Sequence, residues 1–383
     1  MKKQIFFIVK QRAFLSARRV TTKNTPCSLS RSVFRFPLFS TVLLCCVLFF
    51  SGCASPMQLL RSWNNDLPPS LAVVYREAQN PLISQRVFSS FAGDIPLQFS
   101  TASDKEEELA LLEKHAQDAL VTALCCQLSR DSDAAAMVEV ARNYDQPLIF
   151  FGCEPSSAVL DSYDQCWYVG SREREAGELM GQIAVHALDT ARFTDVNQNK
   201  LIEYVLFTSP QDGSEAALRG EAALSVLENA GYFSALVDTP ACAGDALAAY
   251  ETTLSLLDGG MHTELFLCPN AKEAEGVLRA LEERDVLFTV ATPSEEQAED
   301  AAAPAPLLQY GVVCIGKTDA VQSLVSRGAL LGYISFDESS AAKTILTLAR
   351  NASLRTNPSD GLDYILEEHR RVYIPYLTET SNS

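Results

Sequence analysis

The sequence predicts an α/β protein built as two doubly wound parallel sheets. Short, almost continuously apolar runs alternate with amphipathic stretches from residue 70 onward, and the alternation stops and starts again near residue 200. Strands apolar along their whole length are buried on both faces, and such strands belong to parallel sheets covered by helices. The first set of runs is LAVVY (71–75), IPLQF (95–99), ALVTALCC (119–126) and PLIFF (147–151). Between them DKEEELALLEKHAQ (104–117) and DSDAAAMVEVARNY (131–144) repeat apolar residues at three and four, the helical period. The second set is EYVLFTS (203–209), FSALVD (233–238), TELFLC (263–268), VLFTVAT (286–292) and YGVVCIG (310–316). Between its first two strands lies the helix GSEAALRGEAALSVLENAG, with Gly231 as its stop signal. SEEQAEDAAAPAP (294–306) is low-complexity and acidic, and reads as a solvated loop.

Length and charge bound the function. A chain of 383 residues has room for two domains, and 47% hydrophobic with 21% charged residues is ordinary globular composition. Residues 1–52 hold nine Lys or Arg and no Asp or Glu, which leaves −26 for the rest of a chain whose net charge is −17. So acidic a body repels nucleic-acid phosphates, and no basic stripe offsets it. A transcription repressor is opposed by the export-type amino terminus and the absence of a basic helix-turn-helix. Neither G-x-G-x-x-G nor G-x-x-x-x-G-K-[ST] opens a helix, and there is no G-x-S-x-G elbow, so nucleotide-dependent and serine-hydrolase chemistry lack their usual frames. The sequence carries no enzyme signature.

The amino terminus reads as an export signal. It is basic from Lys2 to Arg35 and apolar or small from Leu38 to Phe50, a stretch too short to span the roughly 30 Å core of a bilayer. Ser51-Gly52-Cys53 then resembles a bacterial lipobox, in which Cys53 is acylated and residues 1–52 are removed as a lipoprotein signal peptide. Residues 53–69 form a tether. Seven further cysteines remain (Cys125, Cys126, Cys153, Cys166, Cys242, Cys268 and Cys314), an odd number that leaves at least one thiol unpaired. Cys153 with Cys166 is the pair to check for a disulfide. Four dispersed histidines give no zinc spacing.

LDSYDQCWYVGSREREAGELMG (160–181), FTDVNQNKLIEYVLF (193–207) and RGALLGYISFD (327–337) resemble the galactose/glucose-binding proteins of bacterial sugar ABC importers, with similarity from about Ser70 to Leu377. That resemblance implies a type I periplasmic binding protein, with two doubly wound lobes joined by a three-segment hinge and closing on a sugar. It divides the chain into an N-terminal lobe of 70–152 and 337–370 and a C-terminal lobe of 153–336 and 371–383. With the lipobox at Cys53 supplying a lipid anchor in a membrane, the leading expectation is an envelope substrate-binding protein that serves an ABC permease and has no catalytic activity.

The family stacks its sugar between two aromatic rings and holds the hydroxyls with charged and amide side chains. By resemblance the ligand set here is Asn80, Gln127, Glu215, Arg219, Asn270 and Phe336. Asn80 stands for the family's Asp, Gln127 for its Asn and Glu215 for its Asp, while Arg219 and Asn270 match. Leu82 replaces a stacking Phe, Gly213 a His and Gly316 an Asp; Phe336 falls where the family has Asn, and the stacking Trp maps near Cys242 or Ala243. Either the ligand is smaller or less hydroxylated, or the protein is an envelope interaction or structural lipoprotein that kept the fold and lost sugar binding. Read alone, Glu215 and Arg219 are an i, i+4 pair on a helix surface.

A calcium site is implied as well. Asp195, Asn197 and Asn199 place oxygens at alternate positions, Leu201 lends a backbone carbonyl and Glu203 closes the loop, with Glu264 arriving from a distant strand as in the family. Lys200 replaces the glycine of the tight turn.

Overall fold

The computed structural model describes residues 69–76, 81–193, 195, 197, 199, 201–208, 213–260, 262–288 and 307–381. The signal segment, Cys53, the tether, Asn80 and the 294–306 insert therefore lie outside the described residues. Among the described residues no helix is long and apolar enough to cross a membrane.

Thirteen strands and ten helices are described. The first sheet contains β1 (Leu71–Arg76), β2 (Leu97–Ala102), β3 (Ala123–Leu128), β4 (Leu148–Gly152), β5 (Cys166–Gly170), β11 (Leu366–Glu367) and β12 (Arg371–Tyr373), in the order β11-β12-β5-β4-β3-β1-β2. Its helices are α1 (Gln85–Phe91), α2 (Lys105–Gln117), α3 (Asp131–Asn143), α4 (Ser157–Leu160) and α10 (Glu338–Ser353). The second sheet contains β6 (Leu201–Leu206), β7 (Phe233–Asp238), β8 (Leu265–Cys268), β9 (Gly311–Ile315), β10 (Gly332–Ser335) and β13 (Leu377–Thr380), in the order β13-β10-β9-β8-β6-β7. Its helices are α5 (Glu173–Asp189), α6 (Gly213–Asn229), α7 (Ala246–Asp258), α8 (Ala271–Glu283) and α9 (Asp319–Ser326). Every pairing is parallel except β11 with β12 and β10 with β13.

The two-sided burial read from the apolar runs is realised in the central strands β1, β3, β4 and β5, whereas the edge strands β2 and β7 are largely half-buried or exposed. Leu71, Val73, Tyr75, Cys125, Ile149, Phe151, Trp167 and Val169 pack on the α1/α10 side of the first sheet. Ala72, Val74, Leu124, Cys126, Leu148, Phe150, Cys166 and Tyr168 pack on the α2/α3 side. Each large side chain so buried contributes about 1.5–3 kcal/mol. The helix starts are capped as their sequences suggest. Asp104 accepts from Glu107 N–H at 2.8 Å, and Asp337 accepts from Ser340 N–H at 3.0 Å. The residue after α6 that turns the chain is Gly231, with φ +89°, a conformation glycine adopts without strain.

Several sequence expectations shift. The first lobe takes in β5 and β12, so Cys166–Gly170 and Arg371–Tyr373 belong to the N-terminal sheet and not to the C-terminal lobe. The cause is pairing: β5 lies beside β4, and β12 beside β5. Strand 2 starts at Leu97 and strand 3 at Ala123, because turns at 93–94 and 119–120 precede them and the two residues that follow each turn join no ladder. The run 286–292 gives one isolated bridge, Phe288 with Leu308, and its end is outside the described residues. Cys153 and Cys166 are both free thiols, as are the other five described cysteines.

Helix pairs meet closely where the sequence supplies glycine. A Cβ at Gly177 of α5 would stand 2.2 Å from the Arg219 carbonyl of α6, and one at Gly276 of α8 would stand 2.2 Å from the Ala246 carbonyl. Backbone atoms cannot yield as a side chain end can. Gly177→Ala is expected to lower the urea-unfolding free energy by about 1–3 kcal/mol, the usual cost of overpacking, without changing the helix signal of the folded state.

Candidate functional site

The three chain crossings between the sheets locate the site. β5 ends at Gly170 and residues 171–172 lead into α5; β10 ends at Ser335 and residues 336–337 lead into α10. The third crossing, residues 374–376, joins the end of β12 to the start of β13. Tyr373 pairs with Gly170 at the carboxyl end of β5, and Leu377 pairs with Ser335 at the carboxyl end of β10. All three crossings therefore connect carboxyl edge to carboxyl edge. The two edges that collect strand ends and helix starts are held against one another by very short segments, and a crevice at such edges is where doubly wound sheets bind ligands.

On the first sheet's side, the segment after β1 is pinned from three directions. Leu82 N–H donates to Gln127 Oε1 at 2.9 Å, Tyr75 Oη donates to the Ile83 carbonyl at 2.9 Å, and Ser84 N–H donates to Glu338 Oε2 at 3.2 Å. Burial pushes the Tyr75 phenol far above its ordinary value, with the negative Glu338 adding to the effect, so it stays a donor. Phe336 and Leu82 both pack partly buried against the core under α1 and α10. Phe336 follows a strand of the second sheet yet packs against the core of the first lobe.

On the second sheet's side, Arg219 is 9% exposed and donates from Nη1 to Glu173 Oε2 at 2.6 Å. Glu173 stands in the first turn of α5 and was not among the residues picked from sequence. Arg219 thus makes a pair that reaches across two packed helices; the i, i+4 pair with Glu215 falls on a side chain outside the described residues. Asn270 caps α8, its oxygen accepting from Glu273 N–H at 3.0 Å. Its amide nitrogen lies toward Gly244, where a Cβ would come within 3.2 Å. Gly316 has φ +108° and would place a Cβ 3.3 Å from Ala271, so an aspartate there would be strained as well as crowded.

The loop between α5 and β6 gathers oxygens. Asn199 N–H donates to Asn197 Oδ1 at 2.9 Å, Leu201 N–H donates to Asn199 Oδ1 at 2.8 Å, and Asn197 Nδ2 donates to Glu203 Oε2 at 2.6 Å. Glu264 is 2% exposed and accepts from Glu203 N–H at 2.7 Å. Burial raises its carboxyl above the usual range; the Glu203 N–H bond opposes this, and the negative Glu203 and Asp195 reinforce it. Asp195, Glu203 and Glu264 are therefore electrostatic neighbours. Among the described residues, though, no three Asp, Glu, His or Cys side chains stand in a metal-holding arrangement. The oxygen set suits a hard cation in kind. Asn197 presents its nitrogen to Glu203, so its amide would have to turn to join it.

Residues 88–305, more than half of the chain, match the model of the periplasmic binding protein domain. The chain belongs to that family. It is 23% identical over 263 residues to the D-galactose/methyl-galactoside binding periplasmic protein of Haemophilus influenzae, covering 67% of this chain and 71% of that protein. Its fold resembles an ABC transporter solute binding protein of Bacillus halodurans with bound myo-inositol, with a TM-score of 0.62, 17% identity, and coverage of 83% of this chain and 96% of that one. It also resembles a periplasmic solute binding protein of Actinobacillus succinogenes with bound D-allose, with a TM-score of 0.64, 13% identity, and coverage of 82% and 98%. These family members are solute-binding proteins, not enzymes, and their two-lobed α/β architecture is the one seen here.

The Gln127 contact yields a direct expectation. Gln127→Leu removes the acceptor from Leu82 N–H, and leaving that amide unpaired costs about 1–3 kcal/mol locally. Hydrogen exchange at Leu82 is expected to speed by about tenfold or more, with exchange in α6 and α8 unchanged.

Proposed function

We propose that this protein is the substrate-binding component of an ABC importer, taking a small solute of the sugar or polyol class between its lobes and handing it to a permease. The carrying observation is the edge-to-edge opposition of two parallel sheets across three short crossings. A solute bridging both edges favours the closed arrangement by its differential affinity for it. Asn80, Gln127, Arg219, Glu215, Asn270 and Phe336 are the residues assigned to the solute, and Glu173 joins them through its pair with Arg219. Phe336 and Leu82 supply an apolar face and Arg219 a charged donor, a combination suited to a ring with fewer hydroxyls than galactose. Anchoring is assigned to a lipid on Cys53, which places the body at the outer side of a membrane in the bacterial envelope.

Calorimetry on ligand-stripped protein lacking residues 1–53, with calcium present, tests this reading against D-galactose, D-glucose, D-allose and myo-inositol. Binding of at least one in the micromolar range is expected, about −8 kcal/mol. Silence toward all four would remove this solute class.

A second reading, an envelope interaction or structural lipoprotein without solute binding, is favoured by the polar groups already engaged in the scaffold. Gln127 holds a loop, Asn270 caps a helix and Arg219 is paired. An accompanying permease and ATPase would support the importer reading over this one.

We assign calcium to the loop of Asp195, Asn197, Asn199, Leu201, Glu203 and Glu264, where it would tie the start of β6 to β8. The expected result is a rise of a few °C in melting temperature with millimolar calcium, because a ligand that binds only the folded state stabilises it. Glu264→Gln should abolish that rise. No calcium-dependent shift in the wild-type protein would exclude the site.

A further inference from the structure

We infer that Arg172 is an interlobe clamp whose grip on Glu367 and Tyr373 sets the range of angles the hinge can visit. Arg172 ends the first crossing as the N-cap of α5, its carbonyl accepting from Ala176 N–H at 3.2 Å, so its backbone is tied to the first turn of a second-lobe helix. Its side chain reaches back onto the first. Nη2 donates to both Glu367 carboxylate oxygens at 2.6 Å, and the guanidinium lies 3.9 Å from the centre of the Tyr373 ring. Glu367 and Tyr373 belong to β11 and β12, at the edge of the first sheet.

The platform beneath the guanidinium is braced. Tyr373 Oη donates to Glu154 Oε1 at 2.8 Å, its ring meets Tyr168 edge to face at 6.2 Å, and Arg371 Nε donates to the same Glu154 oxygen at 2.7 Å. Around the clamp two of the three crossings are laced together. Ile374 N–H donates to the Gly170 carbonyl at 2.7 Å, and Ser171 Oγ donates to the Ile374 carbonyl. Arg172 is the charged member of this lacing, and a planar guanidinium can bond a carboxylate and stack on a ring at once, which lysine cannot.

The pair is about half exposed, with side-chain exposures of 47% and 43%. Exposed ion pairs contribute little to global stability. Their leverage lies elsewhere: two lobes joined by three short segments need little energy to reorient, so a contact too weak to hold a fold can still bias a hinge. The inference rests on the reading that the lobes move against each other around a solute.

The test compares ligand-free wild-type protein with Arg172→Gln, Arg172→Lys, Glu367→Gln and the control Lys343→Gln. Lys343 makes a similarly exposed pair with Asp363 at 2.6 Å, within the first lobe alone. Small-angle scattering should show a broader distance distribution for Arg172→Gln and Glu367→Gln and an intermediate one for Arg172→Lys. Amide exchange at Ile374 should accelerate about tenfold in the first two. Melting temperature should stay within about 1 °C for every variant, and Lys343→Gln should match wild type throughout. Unchanged scattering and exchange in both Arg172→Gln and Glu367→Gln would overturn the clamp. So would a melting loss of many degrees, which would make Arg172 a residue of the fold. The readings separate cleanly: altered scattering in protein that binds none of the four solutes keeps the clamp and loses the solute, and binding with unaltered scattering does the reverse.

Discussion

Everything at the candidate site depends on the way a parallel sheet must be connected. Because each strand of such a sheet runs the same way, every helix that returns the chain starts at the carboxyl edge, and loops, caps and helix starts accumulate there. Here the constraint operates twice, and the three crossings join the two carboxyl edges and no others. The crevice is thus a consequence of connectivity. Gln127 and Glu338 on one side, Glu173 and Asn270 on the other, stand at those edges because their strands or helices end or begin there, and Arg219 is held near them by its pair with Glu173.

The same edges have structural demands of their own. A helix start needs a cap, and a loop leaving a buried strand needs acceptors for its amides. Asn270 satisfies the first and Gln127 the second. A side chain serving the scaffold in this way offers fewer bonds to a solute, and a site assembled from such residues recognises fewer hydroxyls than one whose polar groups are spare. Phe336 and Leu82 likewise serve the scaffold, packing partly buried against the first lobe's core. Gly316 has a positive-φ backbone, and a Cβ there would crowd Ala271 at 3.3 Å, so any side chain at this position would be strained.

Much of the fold was legible. Continuous apolar runs at 71–75, 147–151 and 233–238 became strands close to where they were read, and the helical period at 104–117 and 131–144 became α2 and α3. At 71–75 and 147–151 the reading held because burial on both faces imprints itself on every residue, and at 104–117 and 131–144 because burial of one stripe recurs at the helical period; β7 is an edge strand with Phe233 and Leu236 exposed, so its apolar run does not report burial. Strands β5, β12 and β13 were harder. They are short, and their lobe membership depends on which neighbour they hydrogen-bond, a long-range choice with no local signature. Strand β5, Cys166–Gly170, was accordingly placed in the wrong lobe.

The sequence by itself determined the class of fold, its doubling, the acidic body and the absence of nucleotide or hydrolase motifs, since these are sums and periodicities along the chain. Only the tertiary structure decided which side chains meet. Arg219 with Glu173, and Arg172 with Glu367 and Tyr373, are pairs 46, 195 and 201 residues apart, as their numbers show. Such partners are selected by how helices and sheet edges pack. A contact whose two halves lie on separate elements leaves no pattern in either one.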